Sequence, residues 1–143
     1  MIKKNGKENP PLIKGFKNTR ARQAVIEILK KAESPMTAED IFLSIREQGY
    51  STNLSTVYRN LELMESRGMV EKTVINDNKS RYELSGNSHR HHIVCTECHK
   101  MVPISKCPFK KLESDIEMET EFDITGHHFI LYGLCPKCKK QGQ

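Results

Sequence analysis

Residues 54–84 read LSTVYRNLELMESRGMVEKTVINDNKSRYEL, and this stretch decides the fold. Ser55 is a good N-cap residue, and Leu54, Val57, Leu61 and Met64 recur at helical spacing on one face. Gly68 supplies a residue that ends a helix in the left-handed conformation. Two strand-like runs follow, Met69–Ile75 and Arg81–Leu84, joined by the polar turn cluster Asn76-Asp77-Asn78-Lys79-Ser80. A helix that stops at glycine and runs directly into a hairpin is the end of a larger unit, so the residues before it identify the architecture.

Upstream, a helical pattern begins at Thr19, with Val25, Ile28, Leu29 and Ala32 on one face. Ser34-Pro35 breaks it. Thr37 caps the next helix with Asp40 three residues on as capping-box partner, Ala38, Ile41, Phe42 and Ile45 form its buried stripe, and Gly49 ends it. Three short helices followed by a β-hairpin describe a winged helix-turn-helix. In such a unit the last helix enters the DNA major groove with the polar side chains of its first turns. Ser55, Thr56, Tyr58, Arg59 and Asn60 occupy those positions. An arginine there can bond guanine or phosphate, and a tyrosine ring can contact a thymine methyl. Residues 1–31 hold nine Lys/Arg against two Glu. Such an imbalance suits a polyanionic partner. Residues 1–18 read as a basic arm with a short helical turn near Leu12-Ile13. Lys17, Arg20 and Arg22 are candidates for the DNA backbone or minor groove. The competing readings are a solvated tail and a winged helix that serves protein contacts alone.

Downstream, Gly86-Asn87-Ser88 reads as a hinge, giving a winged-helix domain over 1–85 and a second domain over 89–143. Short strands are expected at Ile93–Cys95 and Met101–Ile104, and a helix beginning at Pro108 with Phe109, Leu112 and Ile116 as its apolar face. Phe122–Ile124 and His127–Gly133 are read as two further strands. The overall class is α+β.

All five Cys lie after residue 94 and all six His after residue 88. A disulfide framework spreads its cysteines through a small secreted domain, whereas these thiols and imidazoles share one segment. Cys95-x-x-Cys98 and Cys135-x-x-Cys138 are paired knuckles that can enclose Zn²⁺ through four thiolates. A site with four thiolates has no open position, so it is structural, one zinc per chain. The 36 residues between the knuckles make it a staple for a whole subdomain. The alternative, a redox pair, lacks the surrounding βαβ pattern. A deaminase needs a His-x-Glu ahead of Pro-Cys-x-x-Cys, but the upstream segment is His89-Arg90-His91 and the proline follows Cys135. Phosphate-loop, Gly-x-Ser-x-Gly and His-Glu-x-x-His motifs are lacking, so no enzyme is expected. The sequence has no apolar run of ~18 residues and no signal segment, so a cytoplasmic protein without a membrane span is expected.

Taken together, Gly15-Phe16-Lys17-Asn18-Thr19-Arg20, Thr37-Ala38-Glu39-Asp40-Ile41, Ser55-Thr56-Val57-Tyr58-Arg59-Asn60-Leu61, His89-Arg90-His91-His92-Ile93-Val94-Cys95, Gly126-His127 and Tyr132-Gly133-x-Cys135 resemble the ferric uptake regulator superfamily over residues 12–140. The resemblance implies a homodimeric, metal-dependent repressor of double-stranded operator DNA. It places Lys17 in the minor groove and Tyr58 and Arg59 in the major groove. Branches of the family sense iron, zinc, manganese or peroxide. The family's interdomain sensor takes a His near position 35, where Pro35 stands, and two His before the first zinc Cys, of which His92 is present and Arg90 replaces the other. The peroxide branch uses an Asp where this chain has Pro103. Glu83 matches the family's acidic ligand at the end of the wing. A second family site corresponds to His89, His91 and His127, with the first two on one face of a strand. Its helical acid falls near Lys110, leaving Cys107 or Glu113 to complete it. Cys107-Pro108 resembles zinc-sensing members, and a thiolate among imidazoles suits Zn²⁺ better than Fe²⁺. Zinc is therefore the first expectation for the regulatory metal, ahead of iron or manganese; an iron- or peroxide-responsive member is the alternative, and a zinc-stapled protein-interaction module without DNA binding is the alternative from another class. By the same reading, His128 points away from His127 and His99 is a solvated turn residue.

Overall fold

The computed structural model describes residues 17–86 and 90–142. The expected turn at Leu12-Ile13, the hinge residues Asn87 and Ser88, and His89 lie outside them. The chain divides into two compact units, Met1–Ser88 and His89–Gln143.

The first unit runs α1 (Arg20–Lys31), β1 (Met36–Thr37), α2 (Ala38–Glu47), α3 (Leu54–Ser66), β2 (Val70–Val74) and β3 (Ser80–Leu84). Thr19 caps α1 by accepting from the Arg22 N–H, and Thr37 caps α2 by accepting from the Asp40 N–H. α3 is capped two residues before the position the sequence suggested. Asn53, not Ser55, is its cap, with Oδ1 accepting from the Thr56 N–H at 2.8 Å. Asn and Ser cap about equally well, so the choice falls to whichever position seats Leu54 and Val57 on the core. At the other end Gly68 takes φ +71 and the Met69 N–H reaches back to the Met64 carbonyl at 2.8 Å. This is a Schellman closure, and both methionines join the core. That core gathers Val25, Ile28 and Leu29 of α1, Ile41 and Ile45 of α2, and Val57, Leu61 and Met64 of α3 over Val70, Tyr82 and Leu84 of the sheet.

The wing is three-stranded, in the order β1-β3-β2, because the two residues of β1 pair antiparallel with Tyr82 and Arg81 of β3. Two residues are too short to carry a strand pattern, so the sequence showed only the hairpin. Its turn is fixed by Asp77, which accepts from the Lys79 N–H and from both terminal nitrogens of Arg81.

The second unit contains β4 (His91–Cys95), β5 (Met101–Ile104), α4 (Lys110–Thr120), β6 (Ile130–Gly133) and α5 (Pro136–Gln141). The sheet order is β5-β4-β6, with β5 antiparallel and β6 parallel to β4. A parallel pair needs a long crossover, and the segment containing α4 supplies it. Three expectations change here. The helix begins at Lys110 after Phe109, with Pro108 in the preceding turn. Proline's fixed φ suits a turn as well as a first helical position. Phe122–Ile124 is not a strand: Phe122 is 73% exposed, and the Ile124 N–H donates to the Glu117 carboxylate of α4. The strand expected from His127 starts only at Ile130, the residue that faces His92 in the register with β4. No residue of α4 is buried. Among the described residues no helix is long and apolar enough to cross a membrane.

Candidate metal centres and nucleic-acid interface

Because β4 and β6 run parallel, their C-terminal ends lie side by side. β4 ends on Cys95, the turn after it carries Cys98, β6 leads into Cys135, and α5 carries Cys138. The Cys135 N–H donates to Cys95 Sγ and the Cys138 N–H to Cys135 Sγ, both at 3.4 Å. The four sulfurs lie within 4.8 Å of one another. Sulfurs at ~2.3 Å from a tetrahedral zinc stand ~3.8 Å apart, and Cys98 and Cys135 are separated by 3.8 Å. The donor set therefore fits Zn²⁺ in both chemistry and spacing. The thiols of the knuckles are pulled in opposite directions. Backbone N–H groups, that of Cys135 first, draw the Cys95 thiol down to about 6, while the hydrogen bond to Cys135 pushes the Cys138 thiol up to about 12. A cation held by the four cysteines would take the place of that last proton. His99 differs from its sequence reading. It turns the knuckle with φ +61, and its Nδ1 is buried without a partner among the described residues.

A second cluster lies in the same unit. His91, Cys107 and His127 offer ligand atoms within 4.8 Å of one another. His91 Nε2 and His127 Nε2 are 2.9 Å apart, and Cys107 Sγ is 3.3 Å from His127 Nε2. Glu113 of α4 bonds the other ring nitrogen, Nδ1 of His127. The two candidates for completing this cluster thus stand on opposite sides of one imidazole: Cys107 faces the shared centre and Glu113 orients the ring from behind. With Nδ1 donating to the carboxylate, Nε2 presents its lone pair to the centre, the arrangement that metal-bound histidines commonly adopt. His91 stacks on Phe129 at 3.9 Å between ring centroids, and Phe109 packs edge-on against Phe129 at 4.4 Å. The two phenylalanines wall the cluster, a role that aromatic residues outside any motif did not announce in the sequence. His128 is exposed.

Glu83 lies on β3 of the first unit and His92 on β4 of the second. His92 is buried, its Nε2 lacks a partner among the described residues, and burial followed by the neighbouring Arg90 and His91 holds its pKa below the ordinary imidazole value.

On the first unit, Lys17, Arg20, Ser55, Tyr58 and Arg59 are exposed and Thr56 is half-buried. The Tyr58 hydroxyl donates to Glu39 Oε1 of α2 at 2.7 Å. Asn60 departs from the surface reading. It is 8% exposed, donates to the Thr56 carbonyl and accepts from Arg22 Nε at 2.9 Å. Arg22 is thereby engaged inside the unit, where the sequence offered it to DNA. Polarity alone suggested that both side chains face outward; the burial of Asn60 and its bond to the half-buried Arg22 are tertiary effects.

The profile of the ferric uptake regulator family matches residues 13–132. A Bacillus subtilis protein named ferric uptake regulation protein is 35% identical over 127 residues, covering 86% of this chain and 85% of that protein. A Staphylococcus epidermidis protein named peroxide-responsive repressor is 30% identical over 128 residues, covering 90% of this chain and 85% of that one. The crystal structure of the Vibrio cholerae ferric uptake regulator is similar with a TM-score of 0.75 at 29% identity, covering 85% of this chain and 93% of that one. The match runs in one stretch through the elements of the winged-helix unit, β4, β5 and α4 and into β6, and on that basis the chain belongs to the ferric uptake regulator family.

Proposed function

We propose that this chain is a metal-responsive transcriptional repressor that binds operator DNA as a homodimer, with zinc as its regulatory metal. The observation that carries the reading is the His91–Cys107–His127 cluster, built in the same unit as a separate four-cysteine centre. The four thiolates form a closed structural site, whereas the second set is smaller and leaves a position to fill. His89, which lies outside the described residues, is proposed from the sequence alone as the fourth ligand. One thiolate with imidazoles favours Zn²⁺ over the harder Fe²⁺ and Mn²⁺. Bound there, the metal supplies differential stabilisation of the DNA-competent form, which is all that an effector can contribute. His127 is held for that purpose by Glu113, and Phe109 and Phe129 limit water at the ligands.

Tyr58 and Arg59 read the major groove, Lys17 enters the minor groove, and Arg20, Ser55 and Thr56 contact the backbone. Homodimer formation is supported by apolar side chains left uncovered on the second unit, among them Leu112, Ile116, Phe122 and Leu131. A repressor of this kind would work in the cytoplasm, with its operator.

The test strips exchangeable metal from the full chain, retains the structural zinc, and selects duplexes from a random pool. Anisotropy then compares Zn²⁺, Fe²⁺ and Mn²⁺. Zinc is expected to stimulate binding most, and His91→Ala to lose that response while keeping the structural zinc. The buried, unpartnered Nε2 of His92, with relatives named for iron and peroxide, favours a second reading in which His92 takes part in sensing iron. A normal response in His91→Ala together with a lost one in His92→Ala decides for that reading.

A further inference from the structure

Asn60 belongs to the helix that is to face DNA, yet both halves of its amide are committed inside the fold. Nδ2 donates to the Thr56 carbonyl at 3.0 Å and Oδ1 accepts from Arg22 Nε at 2.9 Å. These two contacts fix which way the amide points. Arg22 Nη1 donates onward to the Lys17 carbonyl. That carbonyl also accepts from the Thr19 N–H at 3.1 Å, while the Arg22 N–H donates to Thr19 Oγ1 at 3.3 Å. The peptide of Lys17 is therefore held by two donors, and one of them is anchored on α3, 38 positions away in sequence.

We infer that Arg22 and Asn60 form a clamp that sets the Lys17 peptide against the recognition helix, so that Arg22 is a positioning residue and not a phosphate contact. The inference rests on the DNA-binding reading above. A side chain in one groove and a helix in the next must keep a fixed spacing along the same duplex. An arm free to swing has to be ordered at every binding event, at a cost in affinity. Here the peptide of Lys17 is ordered when the unit folds. Arginine is required because Nε and Nη1 reach two acceptors in different directions from one rigid plane; an ammonium presents a point charge and cannot span both.

The test is a double-mutant cycle on the full, metal-loaded chain with a selected duplex. Lys17→Ala is expected to weaken binding on the order of tenfold in the parent and less than about twofold in Asn60→Ala. Asn60 is too buried to touch DNA, so this coupling runs through Arg22. Arg22→Lys is expected to behave as Asn60→Ala does; should Asn60→Ala fail to fold, the cycle is run in Arg22→Lys. Additive losses overturn the clamp, as does near-parental affinity of Arg22→Lys, the result a phosphate contact gives. Hydrogen exchange at the Thr19 amide, without DNA, is expected to quicken in both variants, and unchanged exchange also overturns it. A parent chain that binds no duplex sinks the DNA-binding reading itself, whereas additive losses on a parent that binds sink only the clamp.

Discussion

His127 shows how one side chain serves two purposes. Its Nε2 faces His91 and Cys107, and its Nδ1 meets Glu113. Removing a ligand and removing the group behind a ligand should therefore differ. Cys107→Ser is expected to abolish the high-affinity exchangeable site, and Glu113→Gln to lower its affinity by about 10–100-fold while leaving the stoichiometry intact. Competition with a chromogenic chelator measures both, and equal loss in the two variants would make Glu113 a ligand. Tyr58 offers a second check. The hydrogen bond to Glu39 raises its phenol from 10.0 to about 12 and lowers the Glu39 carboxyl. A phenol that ionises later in the folded state contributes fully below pH 10 and loses its contribution as pH climbs towards about 12. In an ultraviolet titration, Glu39→Gln should move one late tyrosine back towards its ordinary range; an unchanged curve would break the pairing. At this scale the sequence was legible where side-chain chemistry is unusual. Paired cysteines and clustered histidines announce themselves by type and spacing. Asn60 and Arg22 did not, since a polar residue near a helix start looks solvent-facing until the neighbouring helix is in place.

At the scale of elements, periodicity located α1, α2 and α3, while the termini were decided by contacts between near-equivalent caps. Asn53→Ala should lower stability by about 1 kcal/mol, the usual value of an N-cap, and Ser55→Ala should leave the melting midpoint of the first unit nearly unchanged. The reverse order would restore Ser55 as the cap. The second unit was less legible. Its strands are four or five residues long, and an apolar triplet such as Phe122–Ile124 has no period from which helix, strand and loop can be told apart. The parallel pairing of β4 and β6 could not be read from either strand alone, although the two cysteine knuckles at their ends implied that those ends meet. Cys135→Ser should consequently cost the structural zinc and the β4–β6 pairing together. Metal analysis and amide exchange on β6 would show it, and retained zinc in that variant would remove Cys135 from the centre.

Across the whole molecule, the two units differ in what keeps them folded. Fourteen buried residues form the core cluster of the first unit, whereas the buried apolar residues described in the second are Val94, Cys95 and Met101. So small a core needs a metal or a partner. Structural zinc of this kind contributes on the order of 10 kcal/mol to folding. Strong chelation is expected to melt the second unit and leave the first with a cooperative transition by calorimetry; simultaneous loss of both would contradict this division. The basic excess of residues 1–31 makes a further demand on binding. Each phosphate neutralised adds about 0.9 to the slope of log affinity against log salt, so a dimer with two arms should show a steep slope and Lys17→Ala a shallower one. An unchanged slope would move Lys17 off the duplex.

The crossover that makes β6 parallel to β4 also governs the order of events during synthesis. Cys95 and Cys135 are 40 positions apart, and their strands have little to hold them together until both have emerged from the ribosome. The first unit, with its helices near in sequence, is free to fold while translation continues. The second must wait for its last knuckle and, on the proposed zinc reading, then capture an ion. If the four cysteines take zinc as proposed, a cell short of it would accumulate chains that are half folded, with a finished DNA-reading head and an unfinished tail. Scarcity of the metal would limit the supply of competent regulator as well as its occupancy.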